Sequence, residues 1–104
     1  MMFFNHPEVR GFLTKHGEVY TLRAKERREG RDILVCGSYF RNKRLGSGEI
    51  RLVKKTARLT PAVVRPYVRK SGLASSKAWI EAFKTFCKGK LPSVACLYHV
   101  RLLD

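Results

Sequence analysis

The sequence predicts an α+β fold: a small, partly closed, mostly antiparallel β-barrel with three or so helices covering its openings. Three observations carry this expectation. The stretch Gly17 to Val35 holds two runs with strand alternation, Val19 to Lys25 and Asp32 to Ser38, joined by Glu26-Arg27-Arg28-Glu29-Gly30, where Gly30 supplies the freedom a turn needs. A broad apolar stripe at helical spacing runs through Trp79, Ile80, Phe83, Phe86 and Cys87. The order of elements, helix, three strands, two helices, strand, suits a curved sheet plugged by helices.

After a short apolar lead, Asn5 or His6 can cap a helix with Pro7 in its first turn, where the missing N–H costs nothing, and Glu8 suits the helix dipole. Val9, Phe12 and Leu13 fall on one face, and Gly17 ends the helix after about three turns. In the first strand Val19, Thr21, Arg23 and Lys25 point one way and Tyr20, Leu22 and Ala24 the other. One face reads as core. The other sets a hydroxyl and two cations in a row, as either an ordinary solvated face or a binding face.

After the second strand, Tyr39 to Gly48 reads as a loop, marked by Gly46, Gly48 and the polar residues around them. A third strand is expected from Glu49 to about Leu59. Its inward phase slips between Ile50 and Leu52 on one face and Val53 and Ala57 on the other, as a bulge or barrel corner would require. Thr60-Pro61 opens a second helix that should kink or stop near Pro66. Ser71-Gly72-Leu73 breaks the chain, Ser75 or Ser76 caps the Trp79 helix, and Gly89 can end it. Val94 to Leu103 then alternates as a final strand.

Size and composition bound the function. At 104 residues the chain can bury one core but not two, so a single domain over 1–104 is expected. No apolar run is long enough to span a bilayer, and Met1 to Phe4 lacks the basic start and apolar core of a signal peptide. A cytoplasmic location is the expectation. Cys36, Cys87 and Cys96 form no CxxC pair, and His6, His16 and His99 have no ligand-like spacing to them, so buried free thiols and no metal site are expected. A Cys87 to Cys96 disulfide stays open, and no cofactor motif is present.

Charge is the strongest compositional fact. The 22 Lys+Arg against 8 Asp+Glu give a formal net charge of +14, which points to a polyanionic partner. No basic amphipathic helix keeps a bulky apolar face for a membrane once the core is filled, so nucleic acid is favoured, RNA first and DNA second. The most concentrated positive segment is Arg41, Lys43 and Arg44, beside Tyr39 and Phe40. Those two rings either stack on bases or end the core of the second strand.

These residues resemble the ASCH domain, a branch of the PUA-like β-barrels. The resemblance rests on Val19-Tyr20-Thr21-Leu22-Arg23, Gly30-Arg31-Asp32-Ile33-Leu34-Val35 and Ser71-Gly72-Leu73-Ala74-Ser75-Ser76-Lys77-Ala78-Trp79, and it spans His6 to Leu103. It implies a cleft beside the first strand that binds RNA or a modified nucleoside, with Thr21 and Arg23 on the cleft strand and Gly72 in the turn facing it. In the members that hydrolyse acylated cytidines, a lysine stands three residues before the threonine, where this chain has Glu18. Their catalytic glutamate falls where this chain has Lys70-Ser71.

Two functions therefore follow as expectations. One is an RNA-binding module in which Arg23, Lys25, Arg41, Lys43 and Arg44 contact phosphates while Tyr20, Tyr39 or Phe40 stack on unpaired bases. The other is a small nucleoside or RNA hydrolase using Thr21, Lys25 and a carboxylate such as Glu49. They separate on geometry: a trio within hydrogen-bond reach in a pocket, or an open basic groove shared by Arg23, Lys25 and the Arg41 to Arg44 segment.

Overall fold

The computed structural model describes residues 1–103. Its sheet has five strands: β1 (Met2–Phe3), β2 (Glu18–Arg23), β3 (Gly30–Gly37), β4 (Asn42–Thr56) and β5 (Ala95–Leu102), in the order β1-β3-β4-β5-β2. All pairings are antiparallel except that of β1 with β3, and the sheet curls into a half-barrel covered by helices. The expected architecture is thus present, with one strand added. Two residues are too few to show alternation, so β1 reads in the sequence only as an apolar lead.

The helices begin and end where local chemistry dictates. Helix α1 (Pro7–His16) has Pro7 in its first turn and Glu8 beside it, and ends on Gly17 at φ +78°. His6 is its cap residue, while the Asn5 side chain is used elsewhere: it donates to the Gly37 carbonyl at 2.8 Å and accepts the Gly37 N–H at 2.7 Å. In this way an amide side chain continues the β1–β3 ladder where the chain turns into α1. Helix α2 (Pro61–Val64) lasts one turn before Pro66 converts the chain to a 3₁₀ helix over Arg65–Lys70. In α3 (Ser76–Phe86) the Ser75 hydroxyl accepts the Ala78 N–H at 3.0 Å.

Strand β4 begins at Asn42, seven positions before the expected start, because Lys43 and Arg44 pair with Cys36 and Val35 of β3. The segment read as a loop is therefore a β-hairpin. The expected slip in β4 is a bulge at Val53, since Leu52 pairs with Tyr98 and Lys54 with Leu97. The Leu52 N–H beside it is taken by Glu29 Oε1 at 2.7 Å. The charged β2–β3 connection is thus fastened over the sheet: Glu26 pairs with Lys55, and the Tyr98 hydroxyl bonds both backbone groups of Arg27.

Both faces of the sheet are covered. Val9, Leu13, Val19, Leu34, Ile50, Tyr98 and Val100 pack on one side, against α1. Leu22, Val64, Trp79, Ile80, Phe83, Ala95 and Leu97 pack on the other, under α2 and α3, with Trp79 only 3% exposed. Full burial of each such large side chain is worth about 1.5–3 kcal/mol. Phe86 leaves the expected stripe and stands 70% exposed. All three cysteines are free thiols, and burial pushes those of Cys87 and Cys96 up. Among the described residues no helix is long and apolar enough to cross a membrane.

Candidate functional site

The hairpin joining β3 and β4 carries the most exposed aromatics of the chain. Gly37 takes φ +109° and closes against the Arg41 carbonyl, which accepts the Ser38 N–H at 2.9 Å. The Ser38 hydroxyl accepts the Arg41 N–H at 3.0 Å, and Asn42 Nδ2 donates to the Tyr39 carbonyl at 3.1 Å. These bonds fix the backbone of the tip while Tyr39 and Phe40 project from it, 72% and 92% exposed. Their rings meet edge to face at 5.3 Å. Of the two readings of this pair, the core one is excluded.

The basic residues of the hairpin divide between its faces. Lys43 lines a groove between the hairpin and α1, together with Asn5, Arg10, Gly37 and Leu45. Arg44, the next residue in the strand, points to the opposite side, where its Nη2 donates to Ser47 Oγ at 2.8 Å. Arg41 is exposed at the tip. Sequence reasoning missed Arg10; its position on α1 away from Val9 and Leu13 was the available signal.

Arg23 is a correction to the expected open basic face. Val19, Thr21 and Arg23 are buried, because β2 is covered on both faces, and Arg23 is 8% exposed. Its guanidinium carbon stands 4.8 Å from the centre of the Phe4 ring. Strands β1 and β2 are the two edges of the half-barrel, so this contact bridges the open seam between them. A cleft of about 550 Å³, counting its open mouth, occupies the seam and is lined by Phe4, Thr21, Arg23, Trp79, Phe83 and Phe86 among others. Arg23 makes no hydrogen bond or ion pair among the described residues, and its Nε is fully buried without an acceptor. Burial, reinforced by the like charge of Arg27, lowers its pKa to about 10, which leaves it charged at neutral pH.

The remaining candidates lie apart. Lys25 falls past the end of β2 and is exposed, so it shares neither the seam cleft nor the hairpin groove. Glu49 pairs with Arg101 at 3.3 Å. The register Glu18↔Arg101↔Glu49 puts it on the sheet face opposite Thr21, which aligns with Tyr98 and Leu52. No Thr21–Lys25–Glu49 trio is assembled. Tyr20 packs half-buried between Tyr67 and His99, each with ring centres 5.0 Å away. Gly72, at φ +85°, lies against α1, where an added Cβ would come within 2.8 Å of the Glu8 carbonyl oxygen; its role is close packing.

A separate polar cluster sits outside β2. Lys70 Nζ donates to Glu18 Oε1 at 3.1 Å, and His99 Nε2 lies 3.1 Å from the same oxygen. The bonds from His99 and Lys70 hold the Glu18 carboxyl below the usual carboxylate range. Glu18 of β2 and Lys70 at the end of the 3₁₀ helix thus meet as an ion pair. In comparisons with known proteins, no family model matches the chain, nor does any curated protein or solved structure.

Proposed function

We propose that the chain is a nucleic-acid-binding module, of the ASCH type that its motifs resemble, and that it engages RNA in preference to DNA through the β3–β4 hairpin. The observation that carries this reading is the exposed Tyr39–Phe40 pair on a tip fastened by three hydrogen bonds. Two large rings held in water without a protein partner mark a contact surface. Every base has a face on which such rings stack, at about 1–3 kcal/mol per base. Arg41 at the tip, and Lys43 with Arg10 in the groove between the hairpin and α1, supply cations for phosphates, and the net charge of +14 draws a polyanion to the whole surface. Unpaired bases, which can splay onto rings, fit this arrangement better than a closed duplex.

The test is fluorescence anisotropy with single-stranded RNA, tRNA-like RNA and duplex DNA at a series of salt concentrations. Replacing Arg41, Lys43 and Arg44 together by alanine is expected to weaken binding to all sequences alike. It should also flatten log affinity against log salt by roughly 0.7 for each single-strand phosphate that is no longer neutralised, about two units if all three side chains bind. An unchanged slope in this triple variant would defeat the proposal. Thr21→Ala carries no charge change and is expected to leave the slope as it is.

A further inference from the structure

A guanidinium enclosed in the seam without a counter-ion is the group that the fold leaves unmatched. Buried charges are ordinarily paired, because withdrawing an ion from water is strongly unfavourable unless an opposite charge or hydrogen bonds replace the water. Arg23 has neither among the described residues, and the charge that acts on it, Arg27, has the same sign. The ring of Phe4 gives it a cation–π contact, yet a ring face accepts none of the in-plane N–H bonds that a guanidinium fork offers. Thr21, two residues back on the same face of β2, lines the same cleft, and its hydroxyl also has no hydrogen-bond partner among the described residues.

We propose that the seam cleft is a binding site for a small organic oxyanion, a carboxylate or phosphate group carried on a flat aromatic body. Arg23 and Thr21 hold the oxygens, and the body lies against Phe4, Trp79 and Phe86. Carboxylate and phosphate both match the two-pronged donor edge of arginine, and the ligand oxygens pair end-on with the two terminal nitrogens, since the Nε is closed off from the cleft. The rest of the lining selects the body: Phe4, Phe83, Phe86 and Trp79 offer apolar and aromatic surface, which favours a ring over a free hydrated ion. The exposed Phe86 at the mouth gains a partner in the same step. This site is independent of the hairpin reading, since none of Tyr39, Phe40, Arg41, Lys43 or Arg44 lines the cleft.

Isothermal titration calorimetry on the full chain tests it with four probes: indole-3-acetate, its neutral amide, adenosine 5′-monophosphate and inorganic phosphate. At least one of the two aromatic anions is expected to bind, with indole-3-acetate at least about tenfold tighter than the amide if the source is a carboxylate. Preference for the nucleotide over indole-3-acetate would assign the source as a phosphate, with inorganic phosphate weaker than the nucleotide. Arg23→Met should remove binding while keeping or raising the melting temperature, because an apolar side chain of similar length replaces an unpaired buried ion. If Arg23→Met does not fold, Arg23→Lys takes its place; it keeps the charge and loses the fork, and binding should fall at least about tenfold. The proposal is overturned if neither aromatic anion binds below about 1 mM, if the amide matches the best anion, or if the Arg23 variant that folds binds like the wild type. The Arg41/Lys43/Arg44 alanine variant should retain this small-ligand binding, so failure here and failure of the hairpin reading are read separately.

Discussion

The Tyr98 hydroxyl donates to the Arg27 carbonyl at 3.0 Å and accepts the N–H of the same residue, so a fully buried ring on β5 fastens both backbone groups of one residue in the β2–β3 connection. Burial raises the pKa of this phenol, which keeps it protonated and able to donate at neutral pH. Tyr98→Phe keeps the ring and strips both bonds. It is expected to cost about 1–3 kcal/mol in chemical denaturation, since two backbone groups lose their partner. Faster hydrogen exchange at Arg27 would place the loss there.

Gly37 holds the hairpin tip. Its φ of +109° is strained for any side chain, and an added Cβ would fall 2.3 Å from the Arg41 backbone oxygen. Gly37→Ala is therefore expected to destabilise by at least about 2 kcal/mol. Because the same turn presents Tyr39 and Phe40, RNA affinity should drop in this variant at temperatures where the fold persists.

The exposed rings give a test that separates binding from stability. Tyr39 and Phe40 belong to neither core cluster, so replacing both by alanine should shift the melting temperature little. Affinity for single-stranded RNA should fall by about 1–3 kcal/mol for each base that no longer stacks, with the salt slope unchanged because no cation is removed. A changed slope with unchanged affinity would argue against stacking.

Glu18 links stability to pH. Its carboxyl titrates below the ordinary range because His99 and Lys70 bond the charged form. The folded state thus binds that proton less readily than the unfolded chain. The stabilisation is fully present above the ordinary glutamate range and is lost as pH falls through the lowered folded value. Glu18→Gln should melt below the wild type at neutral pH and converge with it in acid. The cluster is part-exposed, so the gap should be at most about 1 kcal/mol, shrinking with added salt.

Much of the fold was legible in the residues because it is encoded locally. Pro7 and Gly17 bound α1, Ser75 caps α3, Pro66 ends α2, and the phase slip around Val53 marks the bulge; each signal lies within a few residues of its consequence. The net charge and the Tyr39–Phe40 juxtaposition are equally local. What only the tertiary structure decided depends on partners distant in the chain. Strand β1 exists because Met2 and Phe3 meet Leu34 and Val35, and Lys43 and Arg44 are strand residues because β3 supplies their hydrogen bonds. Alternation along β2 showed that Thr21 and Arg23 share a face, but a period of two cannot say what covers that face. Burial of Arg23 at the seam, with Phe4 over it and no anion beside it, arises from edges contributed by opposite ends of the sheet, and a charge is matched or unmatched only in three dimensions.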